Sequence, residues 1–204
     1  MSAAFSTNGN KCVILVNGVP ASGKSTVARH IAERFGFPYL TIDGIKEPFM
    51  ELFAPVDRQL NRNIGRAAYQ TIWSIVAHAP ANCVYVIDAW FGFQPRSELQ
   101  RYLQQAGIAH VVEIWNQISG DLAAERYASR LHQRADGHPG AEYVPELRQL
   151  AERATPMALG PVLTLDQSQP LCLPHIERWL QTHRLQPVHA HSERRSVAAL
   201  GVRD

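Results

Sequence analysis

The residues Gly18-Val19-Pro20-Ala21-Ser22-Gly23-Lys24-Ser25-Thr26 satisfy the spacing G-x-x-x-x-G-K-[ST]. Glycines in that spacing let the backbone curl until successive N–H groups point at one centre, where they can hold phosphate oxygens. A lysine after the second glycine adds a full charge for the β- and γ-phosphates, and the hydroxyl after it is placed to hold Mg²⁺. The flanking residues supply the context this motif requires. Cys12–Val16 is an apolar, β-branched run, and Val27, Ile31 and Phe35 recur at helical spacing behind the loop. Strand, loop and helix follow in order, with the positive end of the helix dipole facing the anion. The chemistry implied is binding of a nucleoside triphosphate through Gly18, Ala21, Ser22, Gly23, Lys24, Ser25 and Thr26, with Ser25 toward the metal. The loop leaves the fate of the γ-phosphate open.

Two aspartates stand where strands end. Phe37–Ile42 reads as a second strand ending at Asp43, expected beside the loop strand, with a short helix over 44–53. Cys83–Ile87 is a continuous apolar run, as in a strand buried on both faces, and it ends at Asp88. Ligands of parallel α/β sheets bind outside the carboxyl ends of the strands. Phosphoryl chemistry there needs one carboxylate to accept or orient the proton of an attacking hydroxyl and another to hold Mg²⁺. Asp43 suits the first role and Asp88 the second, although the two are exchangeable. The plainer roles are a helix cap for Asp43 and a turn residue for Asp88.

Arg126, Arg130 and Arg134 recur every four residues before Gly137-His138-Pro139-Gly140. On one helix they would form a single stripe of like charge, which is favourable if an anion lies against it. A solvated basic face balanced by Glu125 and Asp136 is the bland alternative. Arg62 and Arg66 share a helical face and fit either an anionic acceptor group or plain surface charge. Trp90, Phe91 and Phe93 follow Asp88 and suit either stacking on a substrate ring or core packing. His138 fits a substrate or phosphate contact and an ordinary loop histidine equally.

The elements that must carry these residues alternate. Strands are expected near 12–17, 37–42, 83–87, 109–115 and 162–165. Helices are expected over 24–36, 44–53, 57–78, 95–106, 119–133, 145–154 and 174–182. Asp57 is placed to cap the third of these, whose apolar stripe is Leu60, Ile64, Ala67, Ala68, Ile72, Ile75 and Val76. Residues 134–145, rich in glycine and proline, are expected to form a mobile loop. The pattern is that of a three-layer α/β domain with a five-stranded, mostly parallel sheet and a helical lid. The organisation expected is a disordered lead-in at 1–10, one domain at 11–185 with its lid at about 120–145, and a polar tail at 186–204. The tail histidines His189 and His191 have a metal-binding alternative. The formal net charge of +2 argues against a nucleic-acid-coating role. The absence of an 18-residue apolar run and of a signal-like N-terminus, with three unclustered cysteines, points to the cytoplasm, with Cys12 and Cys83 as buried thiols.

Gly18–Thr26, Thr41-Ile42-Asp43-Gly44 and strand-end Asp88 together resemble the small P-loop kinases of the adenylate-kinase-like group over roughly residues 11–185. That group includes gluconate and shikimate kinases, the kinase domain of polynucleotide kinase and chloramphenicol phosphotransferase. The resemblance implies ATP and Mg²⁺ as cofactors and a small hydroxyl compound as acceptor. It implies Asp43 as the base, Arg126 or Arg130 near the adenine or phosphates, and Arg130 and Arg134 closing on the triphosphate. The function expected is transfer of the γ-phosphate to a small, sugar-like or antibiotic-like alcohol, with Lys24, Asp43, Arg130 and Arg134 as the reacting set. The acceptor would meet Asp43, Arg62, Arg66, Trp90 and Phe91. The alternatives are a polynucleotide or nucleotide-sugar kinase and a nucleotide-hydrolysing switch. Nucleic acid and membrane are not expected partners, and monomer and homodimer both remain open.

Overall fold

The computed structural model describes residues 11–186. Five strands form one sheet: β1 (Lys11–Asn17), β2 (Tyr39–Thr41), β3 (Val84–Ala89), β4 (Ile108–Gln117) and β5 (Val162–Asp166). All pairings are parallel, in the order β2-β3-β1-β4-β5. The expected neighbourhood of β2 is therefore corrected. β3 lies between β2 and the loop strand β1, so Asp88 is one strand from the loop and Asp43 two.

Alternation along β1 divides the core. Cys12, Ile14 and Val16 face a cluster with Val27, Ile31 and Phe35 of α1 (Lys24–Phe35) and with Ile176 and Leu180 of α7 (Leu173–Thr182). Val13 and Leu15 face the opposite cluster, with Tyr69, Ile72, Trp73 and Val76 of α3 (Arg58–His78) and Leu99 and Leu103 of α4 (Arg96–Gln105). β1 is thus buried on both sides of a three-layer sandwich, which explains its unbroken apolar sequence.

Asp57 caps α3 as its position predicts, accepting from the Leu60 N–H at 2.7 Å. The buried face of α3 is rotated from the expected stripe. Ala67 and Ile75 are exposed, whereas Tyr69 and Trp73 are buried. Their rings pack edge to face 5.9 Å apart and both contact Tyr102 of α4. Aromatic packing across the two helices decides which side turns inward.

Two boundaries differ near the site. β2 is shorter than expected because α2 (Ile42–Leu52) starts at once, with Thr41 in the extended N-cap position. Asp43 therefore sits in the first turn of a helix and not at a strand end, and the cap position belongs to Thr41. The helix expected over 119–133 ends early: α5 spans Gly120–Ala128, capped by Ser119, and a 3₁₀ turn covers Leu131–Gln133. Residues 134–140 are mostly half-buried against α2 and α3 and lead through a second 3₁₀ turn at Ala141–Tyr143 into α6 (Val144–Arg153). Of the cysteines, Cys12 is buried, Cys83 half-buried and Cys172 exposed. No helix among the described residues is long and apolar enough to cross a membrane. The tail histidines lie outside the described residues.

Candidate active site

The loop between β1 and α1 has the backbone that its glycines predict. Gly18 (φ 153°), Ala21 (φ 63°) and Gly23 (φ 81°) all have positive φ, and Gly23 is the N-cap residue of α1. At Gly23 a Cβ would come within 2.6 Å of Gln167 Oε1, and at Gly18 within 2.9 Å of the Asn116 carbonyl. Backbone and neighbours leave no room for a side chain at either position. Ser22 is fully buried, and its Oγ has no hydrogen-bond partner among the described residues.

Asn17 and Glu113 hold the entrance to this loop. Asn17 Oδ1 accepts from Gly18 N–H at 2.8 Å and from Phe91 N–H at 3.1 Å, while Asn17 Nδ2 donates to Glu113 Oε1 at 2.7 Å. Glu113, fully buried on β4, also accepts from the N–H groups of Met157 and Ala158. The carboxylate is therefore satisfied by three donors, as a buried charge must be. One hub ties the loop, the turn after β3 and the segment before β5.

Lys24 folds back over the loop and donates to the Val19 carbonyl at 2.9 Å. Burial pulls its pKa down, Asp88 and Asp43 oppose this, and Arg134 adds to it. Four expected site residues thus share one electrostatic neighbourhood. Asp88 pairs in register with Val16 of β1 and is buried; it accepts from the Tyr39 hydroxyl at 3.0 Å. Burial and the carboxylate push the Tyr39 phenol up to about 12, so it remains a donor. Asp43 is solvent-exposed on the first turn of α2. One turn on, Lys46 is buried and donates to Asn61 Oδ1 of α3 at 2.9 Å. Desolvation lowers its pKa while Asp43 raises it.

The arginine stripe does not form. α5 stops at Ala128, so only Arg126 is helical. Arg126 donates to the Gln167 carbonyl at 2.9 Å, beside Gly23 of the loop. Arg130 is exposed and makes no ion pair among the described residues. Arg134 turns inward: its guanidinium lies 4.7 Å over the Tyr127 ring, and Nη2 is 3.0 Å from His138 Nδ1. The recurrence is therefore a property of the sequence and not of a surface, because the chain leaves helical geometry after Ala128, between the first and second arginine.

Phe91 is also corrected. It is fully buried against Tyr69 and Leu99 and has no surface to offer a substrate. Trp90 is half-buried, with its ring folded onto Gly92 and 6.1 Å from that of Trp115. Phe93 is exposed. Arg62 and Arg66 are exposed on α3, as are Ser25 and Thr26 on α1. Sequence reasoning passed over Lys46, Tyr39 and Gln167 as site residues. Lys46 had a signal, since it lies one helical turn after Asp43. The other two come to the site only through strand pairing and chain return.

The parallel sheet, the positive-φ glycine loop and the lysine over it define a P-loop nucleotide-binding protein. A family model described as an AAA domain matches residues 13–154, more than half of the sequence, and the chain belongs to that family. No curated protein sequence matches the chain. Among solved structures, a candidate kinase from Chloroflexus aurantiacus j-10-fl is 26% identical at a TM-score of 0.69, covering 86% of this chain and 98% of its own. A gluconokinase from Sinorhizobium meliloti 1021 (20% identity, TM-score 0.51, 86% and 97% covered) shares the fold. So does a shikimate kinase from Aquifex aeolicus vf5 (14% identity, TM-score 0.51, 85% and 98% covered). These neighbours belong to the small P-loop kinase group that the motifs resemble.

Proposed function

We propose that the chain is a phosphotransferase that moves the γ-phosphate of Mg-ATP to a hydroxyl of a small metabolite, of sugar-like or antibiotic-like character. The observation that carries this is the positive-φ loop with Lys24 folded over it and Asp88 one strand away in register with Val16, with Asp43 and Arg134 near enough to bear on the Lys24 charge. The donor set fits a triphosphate. Positive φ at Gly18, Ala21 and Gly23 curls the loop backbone, and Lys24 has only the Val19 carbonyl as a partner among the described residues. It also fits Mg²⁺, which is held by few protein oxygens; Ser25 and Asp88 would supply them. When bound, the ion would draw off negative charge from the transferring phosphoryl group.

The protein residues then divide the remaining work. Lys24 and the loop backbone hold the phosphate chain in place. Arg134 neutralises charge on the terminal phosphoryl oxygens, and Arg126, anchored at Gln167, lies on the nucleotide side of the loop. Asp43, exposed on the first turn of α2, orients the acceptor hydroxyl and takes its proton. Lys46, one helical turn on, lies close enough to Asp43 for the carboxylate to favour its ammonium form. Arg62, Arg66 and Trp90 are the acceptor-side groups left once Phe91 is assigned to the core. Residues 120–145 act as the lid. A soluble, cytoplasmic setting goes with this role.

The experiment is ADP production from Mg-ATP over a panel of sugars, sugar acids, aminoglycosides, phenicols, nucleosides and 5′-hydroxyl oligonucleotides. Strong stimulation by one small alcohol supports the proposal and names the acceptor class. The family's AAA description favours one competing role, nucleotide hydrolysis without an acceptor. Turnover that no acceptor raises would select that role and overturn ours.

A further inference from the structure

A second polar cluster lies where residues 134–138 cross α2 and α3. The His138 side chain is only 4% exposed, and its two ring nitrogens have unlike partners. Nδ1 is 3.0 Å from Arg134 Nη2, and Nε2 is 3.1 Å from Glu47 Oε1. A guanidinium can only donate, so Nδ1 must accept and carries no proton. The ring hydrogen is then on Nε2, where it donates to the carboxylate. The ring is neutral in a single tautomer, fixed from both sides.

The backbone around it is fixed as well. Asn61 Nδ2 donates to the Gly137 carbonyl, and the Tyr127 hydroxyl donates to the Pro139 carbonyl at 2.7 Å. Arg134 has one face on Tyr127 and one N–H on His138, yet its Nε is buried without a partner among the described residues. A buried guanidinium N–H without a partner is costly, and the Arg134 charge bears on Lys24 of the phosphate loop.

We infer that His138 is a positioning residue: as a neutral imidazole it bridges Arg134 to Glu47 of α2 and holds the guanidinium ready for the terminal phosphate of a bound nucleoside triphosphate. This rests on the phosphotransferase reading. It also ties the lid to the helix that carries Asp43, so one bridge spans the nucleotide and acceptor sides.

The bridge exists only while Nδ1 keeps its lone pair. The charged groups facing the ring are Arg134 from its own segment and Lys46, Asp43 and Glu47 from α2. Burial, then Lys46 and Arg134, hold its pKa below the ordinary histidine value of 6.5, against Asp43 and Glu47. The bridge is therefore intact at neutral pH and above. It is lost as pH falls through that lowered pKa, because a protonated ring turns an N–H against Arg134.

The test is calorimetric titration of the protein with Mg-ATP and with Mg-ADP at several pH values from about 5 to 8. Wild type, Arg134→Ala, His138→Phe and His138→Gln are compared. Wild type should prefer ATP to ADP, and Arg134→Ala and His138→Phe should each reduce that preference roughly tenfold. Glutamine offers an oxygen to Arg134 and an N–H to Glu47 and does not titrate. His138→Gln should keep the preference and hold it flat at acid pH, where that of wild type falls. Equal behaviour of wild type and His138→Phe, or equal losses in the phenylalanine and glutamine variants, would overturn the inference alone. Failure of wild type to bind either nucleotide would overturn the proposed function and this inference with it. The nitrogen-15 shifts of His138 give an answer that needs no folded variant: a ring protonated at Nδ1 near neutral pH refutes the bridge.

Discussion

Burial loosens the hold of Lys24 on its proton, and Asp88 and Asp43 restore part of it. A bound triphosphate adds negative charge and favours the ammonium further. Lys24→Ala removes the charge that faces the phosphates, so nucleotide affinity should fall by at least about tenfold and turnover should vanish, as read by titration and by ADP release. Asp43→Asn keeps the shape and loses the proton acceptor. ATP affinity should change little while acceptor-dependent transfer falls about 10²–10⁴-fold. Near-full transfer in Asp43→Asn would remove Asp43 from the base role. The cysteines give a check on the fold itself. The Cys12 thiol is pushed up to about 12 by burial, whereas Cys172 is exposed. Alkylation near pH 8 should therefore modify Cys172 in the native protein, and Cys12 only after unfolding. Rapid native labelling of Cys12 would contradict its place in β1.

At the scale of elements, α3 and the turn after β3 take the next predictions. Asp57→Ala deletes the N-cap bond to Leu60 and should cost about 1 kcal/mol in chemical denaturation, with nucleotide affinity unchanged. Phe91→Ala opens a cavity against Tyr69 and Leu99 and should cost about 3–5 kcal/mol. A substrate-facing Phe91 would instead raise KM with little loss of stability. These elements also show what the sequence made legible. β1 and β3 were readable because strands buried on two faces need unbroken apolar runs. The phosphate loop was readable because its geometry demands glycine at fixed places. The arginine stripe misled because periodicity carries on past Ala128 while the backbone does not, and no glycine or proline marks the break. Phe91 misled because an aromatic beside a strand end has the same sequence whether it faces core or cleft. The rotation of α3 was set by Tyr69 and Trp73 meeting Tyr102, a contact between distant parts of the chain.

At the scale of the whole molecule, fold class and strand count followed from the alternation of elements, but the order of strands did not. Adjacent parallel strands leave no mark of their partners in sequence, so the placement of β3 between β2 and β1 had to be seen. The consequence reaches into how the protein is made. β1 emerges early during synthesis, yet its two neighbours, β3 and β4, end only at Ala89 and Gln117. Until then its backbone lacks both ladders, and the phosphate loop that follows it has no frame. Gln167 adds a later condition: its amide donates to Asn116, and its carbonyl receives Arg126 beside Gly23. The loop near the start of the chain is thus framed by segments that are made much later. The phosphate loop acquires its full set of neighbours only once the chain has been made as far as Gln167.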